Sequence, residues 1–153
     1  MIAIRRAAPS DAALLAWHRA AVWDESGGHD EAETRAQVPV WTDWMAEAIA
    51  RRTYVAFIAF DGDDAAGSAS LLVHDAVPRP GYVGRSDGRV HSVFVEPAMR
   101  RRGIARALMH DLLDYARSAG VMRLTLHPTS ASRSLYAGLN FEQLDEMGVY
   151  LRA

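Results

Sequence analysis

Residues 95–109 read VEPAMRRRGIARALM. Three consecutive arginines, Arg100, Arg101 and Arg102, followed by Gly103, separate an apolar stretch from one with helical apolar spacing. A strand that feeds a glycine-containing turn into a helix presents unpaired backbone N–H groups at the helix N-terminus. The helix dipole adds about half a positive charge there. Such an end is an anion site, and phosphate is its common guest. Cationic side chains at that end oppose the dipole by roughly several tenths of a kcal/mol each, so helix stability does not select them. A bound anion accounts for them better. Gly103 lets a ligand approach the backbone closely, Ala105 is small for the same reason, and the arginines add charge-assisted hydrogen bonds around the rim.

Working outward, Ile104, Leu108, Leu112 and Ala116 recur every four residues, with Ala105, Met109 and Leu113 widening the stripe. Arg106, His110, Asp114 and Arg117 take the other side. The spacing predicts a helix over 101–119, ended by Gly120. Upstream, RVHSVFVE at 89–96 reads as a buried strand stopped by Pro97. TYVAFIAF, an Asp-Gly turn and SASLLVHD form a hairpin signal at 53–75. AVPRPGYVGRSDG at 76–88 is a loop rich in proline and glycine. IAIRRA at 2–7 alternates as a strand does. Ser10 is placed to cap a helix over 11–23, which Gly27 and Gly28 break. A second helical region is interrupted at Pro39 and resumes at WTDWMAEAIARR. VMRLTLH at 121–127 is a strand, SASRSLYAG at 130–138 a short helix, and FEQLDEMGVYLR at 141–152 terminal strand material. The order β-α-α-β-β-β-α-β-α-β-β predicts an α/β (α+β mixed) architecture, a mixed sheet with helices on both faces.

The 153 residues fit one domain, 1–153. Half of them are hydrophobic and 24% are charged, so a substantial core is available without staples. The formal net charge of −2 makes the arginine cluster a local feature on a mildly acidic protein, not part of a nucleic-acid or membrane surface. With no cysteine, disulfides, thiolate metal sites and a cysteine nucleophile are excluded. No apolar run reaches the roughly 18 residues of a membrane span, and the N-terminal residues lack a signal peptide's order of segments. A cytoplasmic protein is expected.

The nucleotide-binding patterns G-x-x-x-x-G-K-[ST] and G-x-G-x-x-G are both absent. What stands at the turn is R-x-x-G-x-A, formed by Arg100, Gly103 and Ala105. Together with V-x-V-E-P before it, IARALM after it and LYAGLNFE at 135–142, this resembles the acetyl-CoA loop and the L-Y-x-x-L-G-F signature of the GCN5-related N-acetyltransferase (GNAT) superfamily. The element order matches that fold, a mixed and mostly antiparallel sheet flanked by helices, over nearly the whole chain. The resemblance implies an acetyl-CoA-dependent N-acetyltransferase acting on a primary amine, with acetyl-CoA as cosubstrate and no metal.

The resemblance also assigns residues. Backbone amides of Arg101, Arg102, Gly103, Ile104, Ala105 and Arg106, with Arg100, would hold the CoA pyrophosphate. Backbone of Val93, Phe94 and Val95 would pair with the pantetheine arm, in a slot opened by the splayed strand RLTLH. Ser130 or Ser132 would stand where the family often has a cofactor-contacting asparagine. Tyr136 matches the tyrosine that protonates the departing thiolate. A thiol titrates near ~8.5 and a tyrosine near ~10, so the transfer is uphill by only about 2 kcal/mol. Asn140 replaces the glycine of L-G-F; asparagine tolerates left-handed backbone best among the other residues. The base that frees the amine is expected at His91, whose imidazole near ~6.5 suits the task, with Glu96, His127 or an ordered water as alternatives. His91 equally fits a satisfied core histidine, and Tyr136 a core residue of a short helix.

His29, Asp30 and Glu31 are a loop and helix start, not a metal fragment, because adjacent side chains diverge. Trp23, Trp41 and Trp44 lie in the region that forms the acceptor pocket in the family. They are core residues, or they favour an apolar or aromatic amine. A small-molecule amine or a peptide amine is the expected partner, with no nucleic acid and no membrane. Dimers are frequent in the family, so a homodimer is an open expectation. A non-catalytic acyl-CoA-binding or regulatory module on the same fold is the competing reading.

Overall fold

The computed structural model describes residues 1–151. The chain runs β1 (Ile2–Arg6), α1 (Ala12–Ser26), α2 (Glu31–Ala50), β2 (Tyr54–Asp61), β3 (Asp64–Asp75), β4 (Ser86–Val95), α3 (Ile104–Ser118), β5 (Val121–Thr125) and α4 (Arg133–Ala137). The strands form one sheet in sequence order. Neighbours are antiparallel from β1 to β4, and β4 and β5 run parallel.

Period-two alternation sorts side chains to two faces. Tyr54, Ala56 and Ile58 of β2 pack with Leu15, Ala16, Met45 and Ile49 of α1 and α2. Phe57 and Ala59 of the same strand turn to the other face, against Leu108, Met109 and Leu112 of α3. The four-residue stripe read in α3 is the buried one: Leu108 and Leu112 are fully covered. Truncating either to alanine costs about 2–5 kcal/mol.

Local signals behaved as their chemistry demands in several places. Gly62 (φ 64°) turns the β2–β3 hairpin, Gly120 (φ 72°) follows α3, and Asn140 sits at φ 64°. Asp30 caps α2, accepting from the Ala32 N–H at 2.8 Å.

Three expectations need correction. Pro39 does not interrupt the second helix; α2 is continuous through it. Pro39 withholds one N–H, but the face of α2 packed on α1 supplies more than one hydrogen bond's worth of stability. Ser10 is no cap: a 3-10 turn (Pro9–Asp11) precedes α1, and Asp11 binds both the Ala8 N–H (2.7 Å) and Arg5 (2.8 Å). Residues 142–151 form no strand, and Met147, Val149, Tyr150 and Leu151 are exposed. Strand-like alternation makes a strand only where a neighbour takes its backbone hydrogen bonds, and here the sheet ends at β5. Arg152, also within that expected strand, lies outside the described residues. Among the described residues no helix is long and apolar enough to cross a membrane.

Candidate active site

The site is organised by an opening between two parallel strands. β4 and β5 pair from Ser86↔Val121 to Arg89↔Thr125 and no further. Arg89 marks the last rung, donating to the Thr125 hydroxyl at 3.3 Å. Beyond it the β5-facing edge of β4, which includes Val93, Phe94 and Val95, is unpaired. The other edge of β4 is bonded to β3, with a slip: Ser68 opposes Phe94 but Ser70 opposes His91. Ala69 therefore faces two residues, and Ser92 takes φ 52°. This is a β-bulge, a device that re-aims the backbone next to a site. A serine there is strained by about 1 kcal/mol or more. Arg19 of α1 donates to the Ser92 hydroxyl at 3.1 Å and so ties the bulge to a helix.

At the C-terminal end of β4 the chain passes Pro97 and turns into α3. Arg101 (φ 65°) and Gly103 (φ 79°) are both left-handed. The turn aims the backbone N–H groups of residues 101–106 outward, and none meets a protein acceptor among the described residues. A Cβ placed on Gly103 would touch nothing within 4 Å, so the space before the turn is open. The arginines differ from one another. Arg100 donates to the Val95 carbonyl at 2.9 Å and is paired with Glu25. Arg102 is paired with Asp61 at 3.1 Å. Arg106 reaches the Gly138 carbonyl at 3.4 Å. Arg101 has no acidic partner among the described residues. The expectation that a ligand anion accounts for all three arginines is thereby corrected: protein carboxylates answer Arg100 and Arg102, and Arg101 with the backbone is left for a ligand.

Tyr136 is buried on the α3 face, edge-on to Phe141 at 5.7 Å. Burial pushes its phenol upward, so it stays protonated across the working range. It lines a cavity of about 460 Å³ with His127 and Thr125. Ser132 precedes α4, but its hydroxyl is engaged locally, accepting from the Thr129 N–H at 2.9 Å.

On the opposite face lies a second cavity, of about 340 Å³, walled by Arg19, Trp41, Trp44, Tyr54, Leu72 and His91. Burial first, then the charges of Arg19 and Arg89 and the neighbouring His127, push His91 down to about 4. An imidazole near 6.5 is therefore corrected; His91 is neutral at pH 7, able to accept a proton but a weak base. The Arg19 guanidinium stacks over Trp41 at 5.0 Å and Trp23 at 5.7 Å. The Tyr54 hydroxyl is buried without a hydrogen-bond partner; nearby Ser70 lowers its pKa against the larger effect of burial, without meeting hydrogen-bond geometry. The two catalytic candidates are thus not in one pocket: His91 and Tyr136 approach the β4–β5 opening from opposite faces of the sheet.

The model of the acetyltransferase (GNAT) family matches residues 14–141. The chain belongs to the GNAT family. It is 30% identical over 122 residues to the N-alpha-acetyltransferase RimI of Mycobacterium tuberculosis, covering 79% of this chain and 76% of that one. It is 35% identical over 75 residues to the glucosamine 6-phosphate N-acetyltransferase of Trypanosoma brucei brucei, covering 49% of each. The chain thus spans about half the length of that relative, and 28% of an uncharacterized Mycobacterium leprae protein that it also matches. Among solved structures, a GCN5-related N-acetyltransferase from Ralstonia eutropha superposes with TM-score 0.89 at 25% identity over 99% of both chains. A predicted acetyltransferase with acetyl-CoA from Clostridium acetobutylicum gives 0.84 at 22% identity, over 99% of this chain and 96% of that one.

The structure also brings to the candidate site residues that the sequence did not reveal. Arg19, Tyr54 and the Ser92 bulge belong to no local motif. The one available signal was Arg19 itself, a charge at four-residue spacing between Leu15 and Trp23 on the inward stripe of α1. Glu96 stands away from the Trp41 cavity. It is partly exposed and lies 3.7 Å from Nε2 of the fully buried His18, whose Nδ1 bonds the Ser68 hydroxyl at 2.8 Å.

Proposed function

We propose that the protein transfers the acetyl group of acetyl-CoA to a primary amine by direct attack in a ternary complex. The observation that carries this reading is the unsatisfied run of backbone N–H groups at residues 101–106, set at the end of the open β4 edge. Its geometry fits a pyrophosphate at the turn and an extended pantetheine arm along Val93, Phe94 and Val95. The Clostridium neighbour of the same fold, which holds acetyl-CoA, is consistent with it. No step requires a metal, and the chain is read as one domain.

The amine nitrogen attacks the thioester carbonyl, forming the C–N bond, and the C–S bond then breaks. A backbone N–H at the Ser92 bulge polarises the carbonyl oxygen. The proton lost from the amine passes to His91, directly or through water. Tyr136 protonates the thiolate from the other face. Its raised pKa makes that donation more uphill than for a free phenol, yet a thiolate is a tolerable leaving group. Ser132 has its hydroxyl, its N–H and its carbonyl engaged within its own turn, so a cofactor contact there would displace a local bond.

Thiol release from acetyl-CoA across an amine panel tests the reading, paired with calorimetry of CoA binding. Binding without any amine-dependent thiol release would replace the enzyme with a non-catalytic acyl-CoA-binding module.

A further inference from the structure

Arg19 is a partly buried cation with no carboxylate partner among the described residues. Its one hydrogen bond to a side chain goes to the neutral Ser92 hydroxyl at 3.1 Å, and the indoles of Trp41 and Trp23 offer only their faces. Removing a guanidinium from water is costly unless it is paired. Of the arginines at the turn, Arg100 is answered by Glu25, Arg102 by Asp61 and Arg106 by a carbonyl, and Arg101, without an acidic partner among the described residues, belongs to the proposed pyrophosphate site. Tyr54 lines the same cavity; the residue is about 2% exposed, and its buried hydroxyl, near Arg19 and Ser70, meets no partner at hydrogen-bond geometry. An orphaned buried donor is rare and marks a place where something else completes the bonding. Trp41, Trp44, Val40 and Leu72 complete the wall. The cavity thus combines an unneutralised guanidinium, an unsatisfied hydroxyl and an aromatic lining, and it borders His91 and the Ser92 bulge.

Resting on the acetyltransferase reading above, we infer that the acceptor is an amine that carries its own carboxylate on an aromatic or bulky apolar body, that is, a free amino acid of the phenylalanine or leucine type. The carboxylate takes the fork of Arg19 and the hydroxyl of Tyr54. The side chain lies against Trp41 and Trp44. The amine is left beside His91, facing the bulge where the thioester carbonyl sits. A guanidinium is matched to a planar carboxylate through two parallel hydrogen bonds. The same charge repels polycationic acceptors such as aminoglycosides; a phosphate would also suit the guanidinium, but the aromatic and aliphatic lining favours an apolar body over a sugar, and glucosamine 6-phosphate is therefore an arm of the test.

The test uses the whole chain with acetyl-CoA, reading thiol release for L-phenylalanine, L-phenylalaninamide, phenethylamine, kanamycin and glucosamine 6-phosphate. L-Phenylalaninamide keeps the body and the amine, removes the charge and imitates a peptide N-terminus. L-Phenylalanine is expected to exceed it by at least tenfold in kcat/KM, after correction for the amine pKa. Arg19→Gln is expected to reduce that ratio by tenfold or more, and comparing the ratio between proteins cancels the amine pKa. Arg19→Lys, which keeps the charge but not the fork, should retain part of the preference and guards against a folding defect in the Gln variant. Calorimetry of L-phenylalanine on the CoA-loaded protein separates the two levels of inference. Binding that depends on Arg19 without thiol release upholds this occupant and sinks the acetyltransferase reading. Turnover of the amide, the sugar phosphate or kanamycin at or above the rate for phenylalanine overturns the inference and leaves that reading standing. Absence of both binding and turnover of phenylalanine overturns it as well.

Discussion

The two halves of the site are built in opposite ways. The arginine turn comes from one run of chain, residues 96–106, and its working groups are backbone N–H donors aimed by two left-handed residues. The proposed acceptor cavity draws Arg19 from α1, Trp41 and Trp44 from α2, Tyr54 from β2 and His91 from β4, and what it offers is side chains. A backbone site is indifferent to most side-chain changes and vulnerable to bulk. A side-chain site can be re-specified by single substitutions. The first suits a ligand part that never varies, the second a partner that differs from one family member to another.

The sharpest way to break this contrast is Gly103→Glu. The position has φ 79° and open space before it, so the new side chain brings strain, bulk and negative charge to the proposed pyrophosphate site. CoA affinity by calorimetry is expected to fall by at least about 10²-fold, through lost backbone contacts and repulsion. Gly103→Ala carries only the strain of about 1 kcal/mol, and undiminished binding in the Glu variant would remove the turn from the cofactor site.

His91 tests the side-chain half. His91→Ala is expected to lower kcat/KM by on the order of 10²-fold, while CoA affinity holds. His91→Gln preserves most of the volume; near-normal turnover in it would make His91 structural and move the base to Glu96, His127 or water. The pH profile has a definite sign. With His91 pushed down to about 4, the imidazole limb of kcat/KM should lie near pH 4, with activity lost as pH falls through it. Any rise above pH 6 then belongs to the acceptor amine, which an acceptor of lower pKa will reveal. A carboxylate on Arg19 would cancel one of the charges that depress His91, so the limb in kcat should lie above that in kcat/KM.

Tyr136→Phe should have a smaller effect, about tenfold in kcat, because a thiolate leaves tolerably without a proton. CoA affinity should not change. An unaltered kcat with chemistry shown to be rate-limiting would return Tyr136 to the core.

The last expected effect is on stability, outside the site. His18 is fully buried and pushed down to about 4 by burial. Its neutral form is favoured in the fold, so stability present above pH 6.5 is lost progressively as pH falls toward 4. The loss is on the order of 3 kcal/mol at most. Urea unfolding at pH 7 and pH 4.5 measures it together with the like-signed share of His91, also pushed down to about 4; His18→Gln should reduce the difference, and an unchanged pH dependence in that variant would assign the loss to His91 and other groups.

Much of the local geometry around the proposed cofactor half was legible in the sequence. Gly103, Asn140 and Gly120 took left-handed geometry, and the apolar stripe of α3 was buried, because backbone preference and helical spacing are local properties. Tertiary structure decided the rest. The Ser92 bulge is a mismatch of register between two strands, which neither strand encodes alone. Pro39 stayed helical because packing on α1 outweighed one missing hydrogen bond. The alternation after residue 141 produced no strand because strand pairing needs a partner edge. The low pKa of His91 comes from burial together with Arg19, brought from 72 residues earlier in the chain. Local conformational energies are written in consecutive residues; register, burial and the convergence of distant charges exist only once the sheet has formed.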